Sequence, residues 1–288
     1  MAVRRVAALL AAGAVALAGC GTGAGPSHVA APSTALSTAL SPMPSRALST
    51  APTTPPASGT ASPPAGQAGP TAAVTAPGKR LKLGAKGKEV AWMQRRLREL
   101  GYRPGKVDGR YGGSTLAAVW ALQKVNGIKP TSTIARATWS ALETPVAPKI
   151  LVRNGKATRA EVNLSKQIMV LYVGGRVSLI THISSGSGIP YCETAVWQGK
   201  EQRFCGSAGT PTGSFKTTWR RDGWHKSYLG ELYNPIFFNG GIAFHGALSV
   251  PLYPASHGCV RMPMNVAEEL PGLLGTGVPV HVRGKFRR

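Results

Sequence analysis

Residues 244–262, FHGALSVPLYPASHGCVRM, carry two histidines, one cysteine and one arginine. A thiol attacks a carbonyl as its thiolate, and free cysteine has a pKa of about 8.5. A histidine held beside the thiol can take its proton and leave a thiolate–imidazolium pair. His257 and Cys259 are two residues apart, so in an extended chain both side chains point to the same side. This stretch predicts a cysteine nucleophile that a histidine activates.

Two glycines adjoin these groups, and two other interpretations compete with catalysis. Gly246 and Gly258 would let the backbone approach a substrate closely or turn sharply beside the thiol. A cysteine among apolar neighbours is commonly a small buried hydrophobic residue. His245, His257 and Cys259 also offer three ligands for zinc. The chain has neither CxxC nor HExxH spacing, so we expect no metal ion and no other cofactor.

The order of these residues resembles the signature of the L,D-transpeptidase catalytic domain of the YkuD type. The family carries a His-Gly, a spacer, then Ser-His-Gly-Cys, often followed by x-Arg. A second family feature, T-P-x-G-x-F, corresponds to TPTGSF at residues 210–215. The resemblance extends over about residues 150–284. The matching residues are His245-Gly246, Ser256-His257-Gly258-Cys259 and Arg261.

The resemblance implies a reaction and a role for each residue. Cys259 would attack the carbonyl between residues three and four of a peptidoglycan tetrapeptide stem and expel D-alanine. The side-chain amine of a diamino acid on a neighbouring stem would then take the acyl group, which gives a 3→3 cross-link. His245 would be the general base and His257 a pocket or orienting residue, with Ser256 and Arg261 in support. The N–H groups of His257, Gly258 and Cys259 would form the oxyanion hole.

Two other functions remain open from the sequence. With water as the acceptor, the same site would be an L,D-carboxypeptidase that trims tetrapeptide stems. A non-catalytic lipoprotein that binds the wall is the alternative from another class. The intact Ser-His-Gly-Cys argues against that alternative, because a pure binder does not need a thiol beside two imidazoles.

Aromatic side chains are concentrated upstream of the motif, in residues 220–234. Such rings give contact area at a low cost in entropy, which suits a loop that covers a substrate. The alternative for each ring is packing on the sheet. The candidate substrate contacts are Tyr191, Trp224, Tyr228, Tyr233 and Phe244.

The composition is strongly basic, and the N-terminus indicates where that charge acts. The chain of 288 residues has 34 Lys and Arg against 11 Asp and Glu, a formal charge of +23, which favours polyanionic partners. Residues 1–20 have a basic start and a short apolar run, as in a secretory signal peptide. Their end, LAGC, resembles a bacterial lipobox, which implies lipidation of Cys20; ordinary cleavage near Ala18 is the alternative.

An exported, lipid-anchored protein meets different polyanions from a nucleic-acid-binding one. We therefore expect the basic surface to face anionic wall polymers and the outer face of the membrane, with no nucleic acid bound. The expected substrates are peptidoglycan stem peptides and glycan strands, and the expected state is a monomer. Of the four cysteines, Cys192 and Cys205 remain unassigned. Outside the cytoplasm they predict a disulfide, worth about 3 kcal/mol in the chain-entropy model; two free thiols are the alternative.

Composition and periodicity divide the chain into a linker and two domains. Residues 21–78 are rich in Ala, Pro, Ser, Thr and Gly, which predicts a disordered linker. Residues 79–145 show helical periodicity in three short runs, at about 90–100, 115–125 and 132–142. The order of these runs resembles the peptidoglycan-binding three-helix domain, which implies a module that concentrates the enzyme on its polymer without joining the chemistry.

From residue 150 onward the pattern indicates β structure. Residues 167–173 and 176–184 alternate around Gly174-Gly175, a signal for a hairpin. Residues 186–209, which hold the two unassigned cysteines, resemble an insertion. An Asn-led capping box predicts a helix from Asn265 to Leu274. The predicted fold is thus multidomain α plus β: a small three-helix module, then a mostly β catalytic domain at 150–284.

Overall fold

The structure, a computed structural model, describes residues 74–286, which all belong to one compact unit. The predicted signal peptide, the predicted lipidation of Cys20 and the linker up to residue 73 lie outside the described residues. In the part of the chain that is described, no helix combines the length and apolar character needed to cross a membrane.

The first part of this unit consists of three helices, as the periodicity predicts. They are α1 Lys88–Glu99, α2 Gly113–Val125 and α3 Arg136–Glu143. The side chain of buried Gln94 on α1 ties the turn between the first two helices: its Nε2 donates to Asp108 and Thr115 at 3.0 and 3.1 Å. The N–H of Gly109 donates to Oε1 of the Gln94 side chain at 2.9 Å. The turn-rich stretch between the helices is therefore held by one amide side chain.

The rest of the described chain is mostly β, with one helix. The strands form a five-stranded sheet, a four-stranded sheet and a two-stranded hairpin, in the spatial orders β3-β2-β1-β11-β6, β10-β9-β8-β7 and β4-β5. The elements are β1 Arg159–Asn163, β2 Ile168–Val173, β3 Arg176–His182, β4 Pro190–Trp197, β5 Lys200–Ser207, β6 Gly213–Lys216, β7 Trp224–Ser227, β8 Gly230–Asn239, β9 Ile242–Gly246, β10 Val260–Met262, α4 Met264–Leu273 and β11 Pro279–Arg283.

The two larger sheets and α4 enclose one apolar core. Alternating residues of each strand contribute to it, as expected when one face of a strand is buried. On β2, Met169 and Leu171 point into this core, whereas Ile168, Val170 and Tyr172 point to the opposite face. The remaining core residues include Val162, Leu179, Phe238, Phe244, Val260, Met262, Leu270 and Val280.

That opposite face of the five-stranded sheet packs on the helices. Ile168, Val170, Tyr172 and Ile180 belong to the same buried cluster as the apolar side chains of the three helices. Polar contacts add to it: Arg103 donates to the carbonyl oxygen of Ser178 at 3.0 Å. The described chain is thus layered as helices, first sheet, second sheet. One buried cluster therefore contains residues from both sides of the sequence boundary near residues 145–150.

Two local predictions differ from the structure. The predicted linker extends to residue 78, but the N–H of Ala76 donates to Glu143 at 2.7 Å, so the last residues of that range are bound to the module. The helix α4 begins after Pro263, with no capping hydrogen bond from a side chain. Asn265 instead donates to the carbonyl oxygen of Arg103 at 3.0 Å, because the packed module offers it a tertiary partner.

Removing the module should destabilise the β domain. Removal would expose four side chains of the first sheet: Ile168, Val170, Tyr172 and Ile180. Because burial of each contributes about 1.5–3 kcal/mol, their exposure should cost about 6 kcal/mol or more of the free energy of unfolding. That loss is comparable with the whole stability of a typical domain. We expect a chain beginning at residue 146 to unfold at a much lower temperature than one beginning at residue 74. Equal melting temperatures would show that the sheet face does not depend on the helices.

Candidate active site

The pairing of β9 with β10 brings the motif residues together. The two strands are parallel, with Arg261 opposite His245 and Val260 opposite Phe244. Opposed residues share a face and successive residues alternate, so His245 and Arg261 leave the core that Phe244 and Val260 enter. Cys259 precedes β10 by one residue and lines the same cavity as His245 and Arg261.

This cavity has a volume of about 680 Å³. Its polar part holds Ser256 and His257 besides the three groups just named, and its outer walls are largely aromatic. Of the predicted substrate contacts, Tyr191, Trp224 and Tyr228 line the cavity.

Two of the predicted aromatic contacts lie elsewhere. Phe244 is fully buried in the core between the sheets, because its place on β9 alternates with that of His245. The prediction that it contacts substrate is therefore wrong. Tyr233 does not line the cavity; it packs against the core and lies 5.2 Å from Trp224, centroid to centroid. Tyr233 thus contacts Trp224 without lining the cavity itself.

His245 is buried and held in one orientation. Its Nδ1 lies 2.9 Å from the carbonyl oxygen of Gly246, to which it donates, so Nε2 keeps its lone pair. Burial lowers the pKa of His245 to about 4, and the positive charge of Arg261 acts in the same direction. At pH 7 the imidazole is neutral and has a free acceptor nitrogen, as a general base requires.

Cys259 is the free cysteine among the described residues. Its Sγ lies 3.6 Å from the carbonyl oxygen of Gly241. Burial raises the pKa of the thiol, and the charge of Arg261 partly opposes this effect. Both shifts favour the neutral forms of the thiol and the imidazole, so burial opposes the thiolate–imidazolium pair that the sequence predicts. The reason is desolvation: two buried charges lose more hydration than their attraction returns.

Ser256 and Thr210 fix the loop that carries the thiol. The hydroxyl of Ser256 accepts from the N–H of Gly258 at 3.1 Å and donates to the carbonyl oxygen of Cys259. The hydroxyl of Thr210 donates to the carbonyl oxygen of Gly258 at 2.6 Å. Because Ser256 already engages the Gly258 N–H, the N–H groups of His257 and Cys259 remain as the oxyanion candidates.

The two motif glycines serve different purposes. Gly258 has a φ of 135°, a conformation that other residues rarely adopt, so it provides the turn beside the thiol. Gly246 is needed for packing instead of for substrate approach: a Cβ there would lie 2.9 Å from Ala267 and 3.1 Å from Tyr233. The close contact of α4 with β9 therefore requires a glycine at this position.

A hydrogen-bonded chain joins the helical module to this loop. Lys124 on α2 donates to the carbonyl oxygen of Gln167 at 3.1 Å. The Gln167 side chain donates to the Ser185 hydroxyl and accepts from the Ser185 N–H, both at 2.8 Å. The carbonyl oxygen of Ser185 in turn accepts from the N–H of Ser256 at 3.1 Å. Two intervening residues, Gln167 and Ser185, thus connect the module to the loop that carries the thiol.

Lys124 also contacts a histidine that is bonded to Val250, next to Ser249 of the cavity lining. Its Nζ lies 2.8 Å from Nδ1 of His182, whose Nε2 donates to the carbonyl oxygen of Val250 at 2.9 Å. Burial lowers the pKa of Lys124 to about 7. Burial, together with the nearby Lys124, lowers that of His182 to about 3. Sequence reasoning missed Lys124, Gln167 and His182, since nothing in their spacing signals a contact; Thr210 had a signal, its place in the family's second motif.

The disulfide hairpin β4–β5 covers the other side of the site. Cys192 and Cys205 lie directly opposite each other in its register and form a disulfide. Glu193 lies 2.7 Å from His257, carboxylate oxygen to Nε2, and the Tyr191 ring meets that of His257 edge-on at 4.8 Å. Across the cavity, Phe204 stacks on Tyr228 at 4.1 Å. The stretch that the sequence indicates as an insertion therefore forms part of the site.

Within residues 74–286, no group of three or more His, Cys, Asp or Glu side chains is placed to hold a metal ion. His245, His257 and Cys259, the three ligands considered from the sequence, are not among such groups.

The burial of the thiol predicts its reactivity with pH. Because the pKa of the Cys259 thiol is raised, its thiolate should form at a higher pH than that of free cysteine. The rate of alkylation by iodoacetamide should rise over the same, higher pH range, since the thiolate is the reactive form. Arg261→Gln should move the alkylation midpoint further upward, since the guanidinium favours the thiolate.

The matched control is Arg221→Gln, which removes an exposed arginine outside the cavity and should leave the midpoint unchanged. Alkylation that is half-maximal below the pH found for the unfolded protein would contradict the neutral resting pair.

Comparison with known proteins agrees with this geometry. Residues 157–282 match the L,D-transpeptidase catalytic domain, YkuD, and residues 86–142 match a peptidoglycan binding domain. A search of curated proteins found no match. Among solved structures, residues 123–326 of an L,D-transpeptidase from Xylanimonas cellulosilytica are 37% identical, with a TM-score of 0.62 and coverage of 71% of this chain and 98% of that one.

Two further L,D-transpeptidase structures are more distant. That from Stackebrandtia nassauensis is 22% identical with a TM-score of 0.40, covering 72% of this chain and 96% of that one. One from Mycobacterium tuberculosis is 16% identical with a TM-score of 0.34, covering 44% of this chain and 58% of that one. The Xylanimonas structure carries the assignment, since its identity and coverage are both high. The chain belongs to the L,D-transpeptidase family.

Proposed function

We propose that this protein forms 3→3 cross-links in peptidoglycan through an acyl-enzyme on Cys259, in the synthesis and remodelling of the cell wall. The observation that carries the proposal is the shared face of β9 and β10, which directs His245, Cys259 and Arg261 into one aromatic-walled cavity. Family membership and the matched peptidoglycan binding domain make peptidoglycan the substrate.

The first half-reaction follows from the resting protonation states. As the stem carbonyl approaches, the thiol proton passes to Nε2 of His245 and the sulfur attacks the carbonyl carbon. The N–H groups of His257 and Cys259 are the candidate donors to the oxyanion, each worth about 3 kcal/mol. The imidazolium then gives its proton to the departing amine of D-alanine, and the acyl group remains on sulfur. Keeping both groups neutral until the substrate binds avoids burying charge in the empty site.

The second half-reaction decides between cross-linking and trimming. An amine that discharges the acyl-enzyme gives the cross-link, and water gives a tripeptide, as an L,D-carboxypeptidase would. The wide cavity, walled by rings such as Trp224 and Tyr228, suits a donor stem that stays bound as the acyl-enzyme until a second stem arrives. We therefore propose a stem amine as the main acceptor.

The reaction predicts separate effects for the nucleophile and the base. Cys259→Ser should abolish the acyl-enzyme and the cross-linked dimer, because a hydroxyl is far harder to ionise than a thiol. His245→Ala should slow the acylation by about 10²–10⁴-fold, the usual contribution of a positioned base. The control His281→Ala, on the other sheet and outside the cavity, should retain activity.

The measurement is mass spectrometry of the intact protein and of the products from a disaccharide-tetrapeptide. Dimers formed by Cys259→Ser would refute the nucleophile. Acylation of His245→Ala at the wild-type rate would refute the base. Tripeptide as the sole product of the wild-type protein would assign water as the acceptor and make the chain an L,D-carboxypeptidase.

We also propose that the protein is exported and anchored by a lipid on Cys20, with its surplus of basic residues facing anionic wall polymers and the membrane surface. The support is the LAGC sequence after a short apolar run, together with two domains that act on an extracellular polymer.

Lipidation at Cys20 predicts the partitioning of the full-length protein. The wild type should enter the detergent phase of a phase-separation assay, whereas Cys20→Ala should move to the aqueous phase or the culture fluid. Equal partitioning of the two proteins would argue against the lipid.

A further inference from the structure

The mechanism above uses one histidine of the pair and leaves His257 without a chemical task. His257 lies where two cavities meet. The first is the cavity of about 680 Å³ that contains the Cys259 thiol. The second has a volume of about 770 Å³ and is lined largely by apolar side chains, among them Ile189 and Tyr253. Tyr191, Ser256 and His257 line both cavities and form the wall between them.

The orientation of His257 is set by a partner from the disulfide hairpin. Glu193 accepts a hydrogen bond from Nε2 at 2.7 Å, so Nε2 carries a proton. No hydrogen bond engages Nδ1 within residues 74–286. A neutral imidazole that donates to this carboxylate has its other nitrogen available to accept a proton, the same order of groups as in a catalytic triad, here with a half-exposed carboxylate.

Two features keep Glu193 in place. Its neighbour Cys192 is joined to Cys205 across the hairpin. Glu193 is opposite Phe204, whose ring stacks on Tyr228 of the facing hairpin. The carboxylate is thus carried by an element that is braced both internally and across the cavity, as a positioning residue requires.

Resting on the proposed function, we infer that His257 and Glu193 serve the second half-reaction. The acceptor, a peptide stem with a side-chain amine, enters through the second cavity while the acyl chain occupies the first. His257 takes a proton from the attacking amine, and Glu193 is the positioning residue that holds the imidazole and stabilises its charged form. The two histidines thereby divide the two half-reactions: His245 acts on the thiol and His257 on the acceptor.

The step balances without any further reagent. The acceptor attacks as its free amine, after its extra proton has gone to water. A C–N bond forms to the acyl carbon, the C–S bond breaks, and sulfur leaves with the electron pair. The proton lost by nitrogen passes to Nδ1 of His257 and then returns to the Cys259 sulfur. The products are a new amide and the neutral thiol of the resting site.

Charge supports the direction of entry. An amine acceptor exists largely as a cation at pH 7, and this chain has 34 basic residues against 11 acidic ones. The first cavity is lined by one residue of each charge, Arg261 and Glu231, so it offers an incoming cation both repulsion and attraction. Among the residues that line the second cavity there is no lysine or arginine, and Glu193 stands at its boundary through its bond to His257.

The test separates the two half-reactions in single variants. Glu193→Gln keeps an oxygen that can accept from Nε2 but removes the charge. We expect aminolysis of the acyl-enzyme by a stem tripeptide with a free side-chain amine to fall about 10-fold or more relative to the acylation rate. The acyl-enzyme should then discharge increasingly to water, so the products shift from dimer to tripeptide. Glu201→Gln, the same change at an exposed position of the same hairpin, should keep the wild-type ratio.

A second variant tests the route of the acceptor. Ile189 lines the second cavity only and is 52% exposed, so Ile189→Arg should fold and place a cation in the path of the amine. We expect the acceptor concentration for half-maximal aminolysis to rise at least severalfold. Val196→Arg puts the same charge on an exposed apolar residue of β4 that lines neither cavity, and it should behave as the wild type.

The outcomes are distinct. Wild-type rates of aminolysis in both Glu193→Gln and Ile189→Arg would overturn the inference. It would also be overturned if each variant lost as much of its acylation rate as of its aminolysis rate. Failure of the wild-type protein to form an acyl-enzyme with the donor would instead refute the proposed function. Melting temperatures close to the wild-type value would show that a lost rate is not lost folding.

Discussion

The parallel pairing of β9 with β10 is the constraint on which the site depends. A register with Arg261 opposite His245 sends the apolar residues of both strands into the core and the functional groups out of it. A shift by one residue would bury the charged Arg261 and expose Val260 and Met262, because successive side chains alternate between faces. Packing of the core therefore also fixes the proposed catalytic groups, so the same apolar contacts stabilise the fold and position the site.

Burial of this face determines how the groups are charged. Desolvation raises the pKa of the thiol and lowers that of His245 to about 4, and Arg261 also disfavours a charged imidazole. A preformed ion pair would have to repay the desolvation of two ions, which a single attraction seldom does. The neutral resting state is consistent with a site that ionises only when a bound carbonyl can receive the negative charge.

The helical module and the disulfide hairpin support the site from opposite sides. The module covers one face of the first sheet and reaches the catalytic loop through Lys124 and Gln167. The hairpin closes over the second sheet and contacts His257. A part named for polymer binding thus also belongs to the scaffold of the active site, and an apparent insertion supplies one of its side chains.

Local signals in the sequence determined most of the fold and pointed to the proposed nucleophile. Helical periodicity gave the three helices to within a few residues, and the paired glycines at 174–175 gave the hairpin, since both depend on short-range backbone preferences. The resemblance of His245-Gly246 and Ser256-His257-Gly258-Cys259 to the family signature indicated the family that the comparison shows. Other outcomes depend on which faces meet in three dimensions. Phe244 moved from the predicted site to the core, because the register of β9 decides which of two neighbours is buried. Glu193 and Lys124 entered the site because packing brought distant segments together. Long-range contacts of this kind leave no periodic or local pattern in the chain, so only the tertiary structure decided them.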